Sequence, residues 1–252
     1  MHRFFPLAAL LATAAAPAPT SILLHPAAVF DGEALHAGWS VLVTGDEIAA
    51  VGPAVSAPAG AETIELPGDT LIPGLIDAHV HLFLHPYNET NWNDQVLHEP
   101  LALRTARAVA AARATLAAGF TTVRDLGTEG AGNADQGLKL AIEGGIVPGP
   151  RLLSSNRAIV ATGSYGPRGY AFDVPQGAEE ASGDGVTQAA RHQMGEGAEV
   201  VKLYADYHYY GNAAPWQKLA VTAGGSTPTF TIAEMAGAVG AAHDAGRRVA
   251  AP

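Results

Sequence analysis

The chain has 252 residues, of which 48% are hydrophobic and 15% are charged, so it can bury the core of one large domain or of two smaller ones. The formal net charge of −10 argues against nucleic acid and anionic membranes as partners. The sequence has no cysteine, which excludes a disulfide framework, a thiolate metal site and a cysteine nucleophile.

The first twenty residues, MHRFFPLAALLATAAAPAPT, have the layout of a secretory signal peptide. A weakly basic start at His2 and Arg3 precedes an apolar run over 4–11, and small residues in Ala-x-Ala patterns follow. The apolar run is too short to span a bilayer. We therefore predict a cleaved signal peptide over 1–20 and a secreted or periplasmic protein. The alternative is a disordered Ala/Pro-rich start on a cytoplasmic protein.

The next segment, residues 21–72, predicts a small β-layer of its own. Short runs rich in Val, Ile and Leu are separated by turn signals such as Asp31-Gly32, and no helical period appears. The predicted strands cover 22–30, 39–44, 47–52 and 62–66.

From residue 73 the sequence alternates between strand and helix. Strands are predicted over 73–82, 121–127, 151–156, 200–205 and 248–251. Helices are predicted over 100–118 and 134–144. A third helix follows the loop over 161–186 and ends at about Gly195, and a fourth runs from a capping box at Thr231 and Glu234 to Gly246. Loops are predicted over 83–99, 161–186 and 206–229. Repeated β-α units with apolar strands indicate an α/β fold with a parallel sheet.

Two α/β architectures fit this alternation, a doubly wound sheet and a (β/α) barrel. No Gly-x-Gly-x-x-Gly follows a strand, so the dinucleotide fingerprint of the doubly wound class is missing. A cupin-like β-barrel is a third alternative, but the predicted helices argue against it. In both α/β architectures the functional site lies at the carboxyl ends of the strands.

The stretch LIPGLIDAHVHL at 71–82 places Asp77, His79 and His81 on one face of a strand, because residues two apart point the same way. Two neutral imidazoles at a strand end can hold one metal ion and leave positions open for water. The alternative is two structural histidines bonded to loop carbonyls. Their common register at the end of an apolar strand favours the metal site.

Lys202 interrupts the apolar strand of GAEVVKLYADY at 197–207, where a buried ammonium group is unfavourable. The side chain could reach the surface or pair with a carboxylate. Alternatively, burial could lower the pKa of the amine and make it nucleophilic, so that it adds carbon dioxide to form a carbamate. From the residues alone, the first interpretation, a lysine that reaches the surface or pairs with a carboxylate, is favoured.

Four segments appear in the order PGLIDAHVHL (73–82), GFTTVRDLG (119–127), GPR (149–151) and GAEVVKLY (197–204). Together they resemble the metal-dependent amidohydrolase superfamily, in particular its imidazolonepropionase-like and Xaa-Pro-dipeptidase-like hydrolases. The resemblance covers about residues 22–251. It implies an eight-fold (β/α) TIM-type barrel, of which 73–252 is the N-terminal half, and a β-sandwich to which 21–72 contributes a segment.

The resemblance also implies the chemistry of the site. His79 and His81 match the paired metal ligands after the first barrel strand, and Lys202 matches a lysine that bridges two metals as a carbamate. One or two divalent ions, usually zinc, would activate a water to hydrolyse an amide, cyclic amide or dipeptide-like C–N bond. The implied partner is a small-molecule substrate, and a homo-oligomer is compatible with the resemblance.

Further side chains near the predicted strand ends are candidates for substrate binding and support. Tyr165 and Arg168, in the loop after the third strand, could bind a substrate carboxylate, although a solvated Gly-rich loop is the alternative. Tyr204 shares the face of Lys202 and could polarise the substrate carbonyl, or simply pack. Asp77 and Asp125 are candidates for orienting the first strand or the metal ligands without binding the metal themselves.

The pattern of the superfamily breaks at the last residue of the chain. The fifth-strand motif resembles V-A-A-H, but Pro252 stands at the position of the third histidine. The fourth histidine and the acid/base aspartate are expected beyond residue 252. Residues 73–252 would supply about four and a half β-α units, since a whole barrel takes roughly 250 residues. We expect an incomplete fragment. The alternatives are an inactive half-barrel that binds metal weakly and a dimer of two half-barrels.

Overall fold

A computed structural model describes residues 20–168, 170–207 and 227–251. The chain forms two compact units, Met1–Pro73 and Gly74–Pro252. The predicted signal peptide over 1–20 lies outside the described residues, apart from Thr20, as does most of the predicted loop over 206–229.

The first unit contains five strands: β1 (Ser21–Phe30), β2 (Leu35–Ala37), β3 (Ser40–Thr44), β4 (Glu47–Gly52) and β5 (Glu62–Leu71). They form one sheet, in which β1 pairs antiparallel with β2 and β3 and parallel with β5, and β3 pairs with β4. The Asp31 carboxylate accepts hydrogen bonds from the backbone N–H groups of Glu33 and Ala34 and so closes the turn after β1. Within the described residues of this unit we find one sheet and not the two layers of a sandwich.

The second unit contains five helices and nine strands among its described residues. The helices are α1 (Trp92–His98), α2 (Leu101–Ala117), α3 (Ala134–Glu143), α4 (Asp184–Gly195) and α5 (Ile232–Asp244). The strands are β6 (Leu75–Val80), β7 (Phe120–Asp125), β8 (Arg151–Leu153), β9 (Ile159–Ala161), β10 (Glu179–Ala181), β11 (Val200–Lys202), β12 (Asp206–Tyr207), β13 (Thr227–Pro228) and β14 (Arg248–Ala250).

The strands that alternate with helices are parallel, as the apolar runs predict. β6, β7 and β8 pair in that order, β9 pairs with β10, and β11 pairs with β14. The Ser154 carbonyl accepts hydrogen bonds from the N–H groups of Glu199 (2.9 Å) and Val200 (3.2 Å), and Ile159 forms a parallel bridge with Leu203. These contacts join β8 and β9 to β11. The α/β class is thereby confirmed.

Two apolar clusters hold the helices against the strands. One contains Ala108 and Ala112 of α2 with Val123 and Leu152 of the neighbouring strands. The other joins α4 and α5 to β9 and β11 through residues such as Val186, Ile159, Val201 and Ala238. Alanine on the inner faces of α2 and α5 allows the helix backbones to lie close to their neighbours.

The capping box of α5 forms as the sequence predicts. The Thr231 hydroxyl accepts a hydrogen bond from the N–H of Glu234 (3.2 Å), and the Glu234 carboxylate accepts one from the N–H of Thr231 (2.8 Å). Among the described residues, none of the helices combines the length and apolar character that crossing a membrane requires.

All three predicted loops contain regular structure, and the described residues of 206–229 include the two-residue strands β12 and β13. The segment 83–99 includes α1, which is only seven residues long and therefore shows little periodicity. Its start is marked by Asn91, whose side chain accepts a hydrogen bond from the N–H of Asp94 (3.0 Å). The segment 161–186 begins on β9 and contains β10, two strands of three residues each.

Candidate metal centre

His79 and His81 lie where β6 ends, and their rings are in edge contact. The ring centroids are 5.2 Å apart and the ring planes are inclined by 61°. His79 is exposed and His81 is partly buried. Desolvation, followed by the nearby charges of Lys202 and His81, lowers the pKa of His79. A lowered pKa keeps the ring neutral, which is the form that binds a metal.

The hydrogen bond of His81 determines which ring nitrogen is free. Its Nδ1 lies 2.7 Å from the carbonyl oxygen of Gly127. A carbonyl can only accept, so Nδ1 must carry the proton, and in the neutral ring Nε2 then keeps its lone pair. This arrangement is typical of histidines that bind a metal through Nε2.

Asp125 supports this arrangement from the buried side. Its carboxylate accepts hydrogen bonds from the N–H of Leu82 and the N–H of Gly127, both at 3.0 Å. Leu82 follows His81 in the chain, and Gly127 provides the carbonyl that orients the His81 ring. Burial, together with the nearby Asp135, raises the pKa of Asp125 well above its ordinary value. Asp125 therefore holds the backbone on both sides of the His81 ring.

Asp77 makes a different contact. Its carboxylate accepts a hydrogen bond from the backbone N–H of His79 (3.0 Å). The contact shapes the end of β6, and within the described part of the chain the Asp77 carboxylate bonds to the backbone of His79 and not to its imidazole ring. The nearby negative charge of Asp77 raises the pKa of His79, but desolvation and the charges of Lys202 and His81 lower it by more.

Lys202 is fully buried at the end of β11. Its Nζ has no hydrogen-bond partner among the described residues and lies 4.6 Å from the centroid of the Tyr204 ring. Burial lowers the pKa of the amine to about 8, and the neighbouring Arg124 adds to this, while Glu129 and Asp125 oppose it. A substantial fraction of Lys202 is therefore a neutral amine near pH 8.

Glu129 is a buried carboxylate that the sequence did not single out. Its side chain accepts hydrogen bonds from the Trp92 indole (3.0 Å), the Tyr165 hydroxyl (2.7 Å) and the Tyr204 hydroxyl (3.3 Å). The rings of Tyr165 and Tyr204 are stacked with centroids 5.2 Å apart, and Tyr207 packs against both. The position of Glu129 in the sequence, shortly after the end of β7, is the one signal that could have identified this residue.

The predicted substrate-binding residues occupy two different environments. Tyr165 and Tyr204 lie in the aromatic cluster around Glu129, and burial raises the pKa of both phenols, that of Tyr165 further than that of Tyr204. Arg168 donates from Nε to the Tyr165 carbonyl (2.6 Å) and forms an ion pair with Glu180. A substrate carboxylate at Arg168 would therefore compete with Glu180.

The side chains present fit a divalent ion. They comprise two imidazoles, one of which keeps Nε2 free because its Nδ1 bonds to Gly127, and a buried amine that has no hydrogen-bond partner among the described residues. Within the described ranges, no group of three or more His, Asp or Glu side chains could hold an ion by itself. The fit therefore depends on Lys202 as well as on the two histidines.

The fold and the site together define a class, namely α/β proteins whose reactive side chains gather at the carboxyl ends of parallel strands. The sequence profile of the amidohydrolase family matches residues 70–251. The chain therefore belongs to the amidohydrolase family, as the four sequence segments predicted. A comparison with curated proteins finds no significant match.

Solved structures with a similar fold include an amidohydrolase that is 31% identical, with a TM-score of 0.73. The alignment covers 91% of this chain and 55% of the amidohydrolase. A prolidase complexed with N-methylphosphonate-L-proline is 29% identical, with a TM-score of 0.72 and the same two coverages. A Xaa-Pro dipeptidase with methionine in its active site is 27% identical, with a TM-score of 0.73, covering 92% of this chain and 56% of its own. This chain thus spans about 55% of the length of such proteins.

Proposed function

We propose that the protein hydrolyses the amide C–N bond of small, dipeptide-like substrates with the help of a divalent metal. The observation that carries this proposal is a pair of strand-end imidazoles close enough to the buried Lys202 that, besides desolvation, the charge of the lysine lowers the pKa of His79, in a chain of the amidohydrolase family. The prolidase and the Xaa-Pro dipeptidase among the similar structures favour a dipeptide-like substrate.

The ligands we assign are His79, His81 and Lys202. The neutral Lys202 amine can add carbon dioxide, forming a new N–C bond and releasing one proton, which leaves a carbamate whose single negative charge is shared by two oxygens. The lowered pKa of the amine favours this step, because only the unprotonated form has a free electron pair. Zinc is the ion that suits two imidazoles and a carbamate, with one or two ions held.

When bound, the ion supplies Lewis acidity and a water of lowered pKa. The residues of the chain then orient the substrate around it. The Tyr204 hydroxyl would donate a hydrogen bond to the oxygen on which negative charge develops. Arg168 would bind the substrate carboxylate by exchanging Glu180 for it, and the Tyr165 ring would line the site while its hydroxyl stays bonded to Glu129. Asp77 and Asp125 would keep the end of β6 in place.

We also propose the extent of the barrel and the destination of the protein. The described parallel strands and their helices would correspond to about four and a half units of an eight-fold (β/α) barrel, which agrees with a coverage of about 55%. The layout of residues 1–20 supports export to the periplasm or the medium.

A second candidate is an inactive half-barrel that binds one metal weakly. The observation in its favour is that the described residues bring together only two of the His, Asp and Glu ligands that a site of this kind normally uses. In this case His79 and His81 alone would hold the ion.

The deciding experiment measures hydrolysis of a panel of Xaa-Pro and other dipeptides by the purified protein after zinc loading, after chelation and after zinc is restored. His81→Ala is the test variant, and His243→Ala, an exposed histidine in the last turn of α5, is the matched control. We expect the wild type and His243→Ala to hydrolyse the substrates, chelation to abolish this activity and zinc to restore it. His81→Ala should be inactive throughout. Zinc binding without turnover would support the inactive half-barrel, and a protein that retains no divalent metal would refute both candidates.

A further inference from the structure

Glu129 combines two features that are unusual for a glutamate. It is 2% exposed, and its backbone has a φ of +51°, a left-handed conformation that is unfavourable for a residue with a side chain. Such strain persists only where the surrounding structure holds it, and it is concentrated at functional sites. The conformation turns the carboxylate inward from the segment that follows β7.

The carboxylate of Glu129 joins side chains from three distant parts of the chain. Trp92 lies at the start of α1, Tyr165 follows β9 and Tyr204 follows β11. Oε2 accepts from the Trp92 indole and the Tyr165 hydroxyl, and Oε1 accepts from the Tyr204 hydroxyl. The segments after four parallel strands are thus connected through one side chain.

The same carboxylate borders the candidate metal centre. A methyl group built on Gly127 would lie 3.4 Å from Oε1 of Glu129 and 3.7 Å from Cε1 of His81. The Tyr204 ring, whose hydroxyl reaches Oε1, lies under the Lys202 amine. Oε1 therefore faces the side of the cluster where His81 and Lys202 lie, whereas Oε2 faces the indole.

The three hydrogen bonds differ in length. The bonds to Oε2 measure 3.0 and 2.7 Å, within the normal range, whereas the Tyr204 bond to Oε1 measures 3.3 Å. The short bonds fix the carboxylate. A hydroxyl has one proton, so a substrate oxygen would accept the Tyr204 hydrogen bond in place of Oε1. The longest of the three bonds is the easiest to exchange in this way.

We propose that Glu129 is a positioning residue for the hydrolysis, anchored by Trp92 and Tyr165 so that it holds the Tyr204 hydroxyl ready to donate to the oxygen of the substrate. This inference rests on the proposed function, since it concerns the same site. It assigns a role to a residue that does not itself contact the substrate or the metal. The benefit arises in the transition state, when charge develops on that oxygen, so it affects kcat more than KM.

A double-mutant cycle tests whether Glu129 acts through Tyr204. Glu129→Gln keeps the size of the side chain, but its amide nitrogen donates and cannot accept. We expect kcat to fall about 10- to 100-fold with little change in KM, and Glu129→Gln to have almost no further effect when Tyr204→Phe is already present. Effects that multiply in the double variant would overturn the inference. Glu99→Gln, a largely buried carboxylate bonded to His85, is the matched control and should leave kcat unchanged.

The Trp92 indole N–H gives a readout that does not depend on activity. In ¹⁵N-labelled protein its signal can be assigned by comparison with Trp92→Phe. We expect Glu129→Gln to move this signal upfield and to speed its exchange with solvent, whereas an unchanged signal would overturn the role of Glu129 in the cluster. A protein without hydrolysis refutes the proposed function, and the indole signal still decides whether Glu129 organises these rings.

Trp92→Phe is also a second test variant if Glu129→Gln does not fold. It removes one bond to Oε2 and keeps an aromatic ring in place. We expect it to lower kcat in the wild-type background and to have no effect in the Tyr204→Phe background. Equal losses in both backgrounds would mean that the indole affects activity by a route other than Tyr204.

Discussion

Replacing Asp135 by asparagine should remove a specific pH dependence of stability. Oδ2 of Asp135 accepts hydrogen bonds from the N–H groups of Ser155 (3.1 Å) and Asn156 (2.8 Å), and the Asn156 carbonyl accepts one from the N–H of Thr128. Asp135 thus supports the backbone beside Glu129. Burial is the largest effect on this carboxyl and raises its pKa from 3.8 to about 6, against its backbone hydrogen bonds.

The size of the effect follows from the shift of this pKa. The folded protein binds the Asp135 proton more tightly than the unfolded chain does. The stabilisation is therefore complete below about pH 4 and is lost as the pH rises through about 6. At about 1.4 kcal/mol per pH unit, the shift corresponds to about 3 kcal/mol. Asp135→Asn has no proton to lose, so it should lack this decline.

The assay is urea unfolding of both proteins at several pH values between about 4 and 7. We expect the free energy of unfolding of the wild type to fall by about 2.5 kcal/mol relative to Asp135→Asn over this range, because part of the effect lies below about pH 4. Asp244→Asn, at the exposed end of α5, is the control and should follow the wild type. Parallel profiles for the wild type and Asp135→Asn would refute the reasoning.

Three further predictions concern the site and the fold. His79→Ala should weaken zinc binding at least about tenfold in competition with a chromogenic chelator, since it removes one of two imidazoles, and equal affinities would contradict its role as a ligand. Lys202→Met should lose hydrolysis, and the wild-type rate should fall in buffer freed of carbon dioxide and recover with bicarbonate. A rate that does not respond to carbon dioxide would exclude the carbamate. Thr231→Ala should lower the free energy of unfolding by about 1 kcal/mol in urea titrations, because α5 loses its N-terminal cap, and an unchanged midpoint would show that the capping box contributes little.

The features that the sequence predicted are those that depend on neighbours in the chain. The capping box requires only Thr231 and Glu234, three residues apart, so it is visible as a local pattern. The shared face of His79 and His81 follows from the period of two in a strand. The alternation of strands and helices likewise results from local hydrophobic patterns, which is why the α/β class could be predicted.

The features that the sequence did not predict depend on distant partners or on very short elements. Glu129 is a glutamate in a Gly-rich segment until the fold brings it to Trp92, Tyr165 and Tyr204, which are 37, 36 and 75 residues away. The ion pair of Arg168 with Glu180 likewise depends on the fold of the intervening segment. α1 and β10 are too short for a periodic pattern.

The pairing of β1 has a consequence for the order in which the first unit can fold. β1 lies beside β2, β3 and β5, and its parallel register with β5 joins Ile22 to Glu62, forty residues later. The hairpin partners of β1 emerge early during synthesis, but its parallel partner emerges last, so this pairing has the longest loop to close. All strands of the sheet lie within residues 21–71, so the sheet can be completed on the ribosome before β7 has been synthesised.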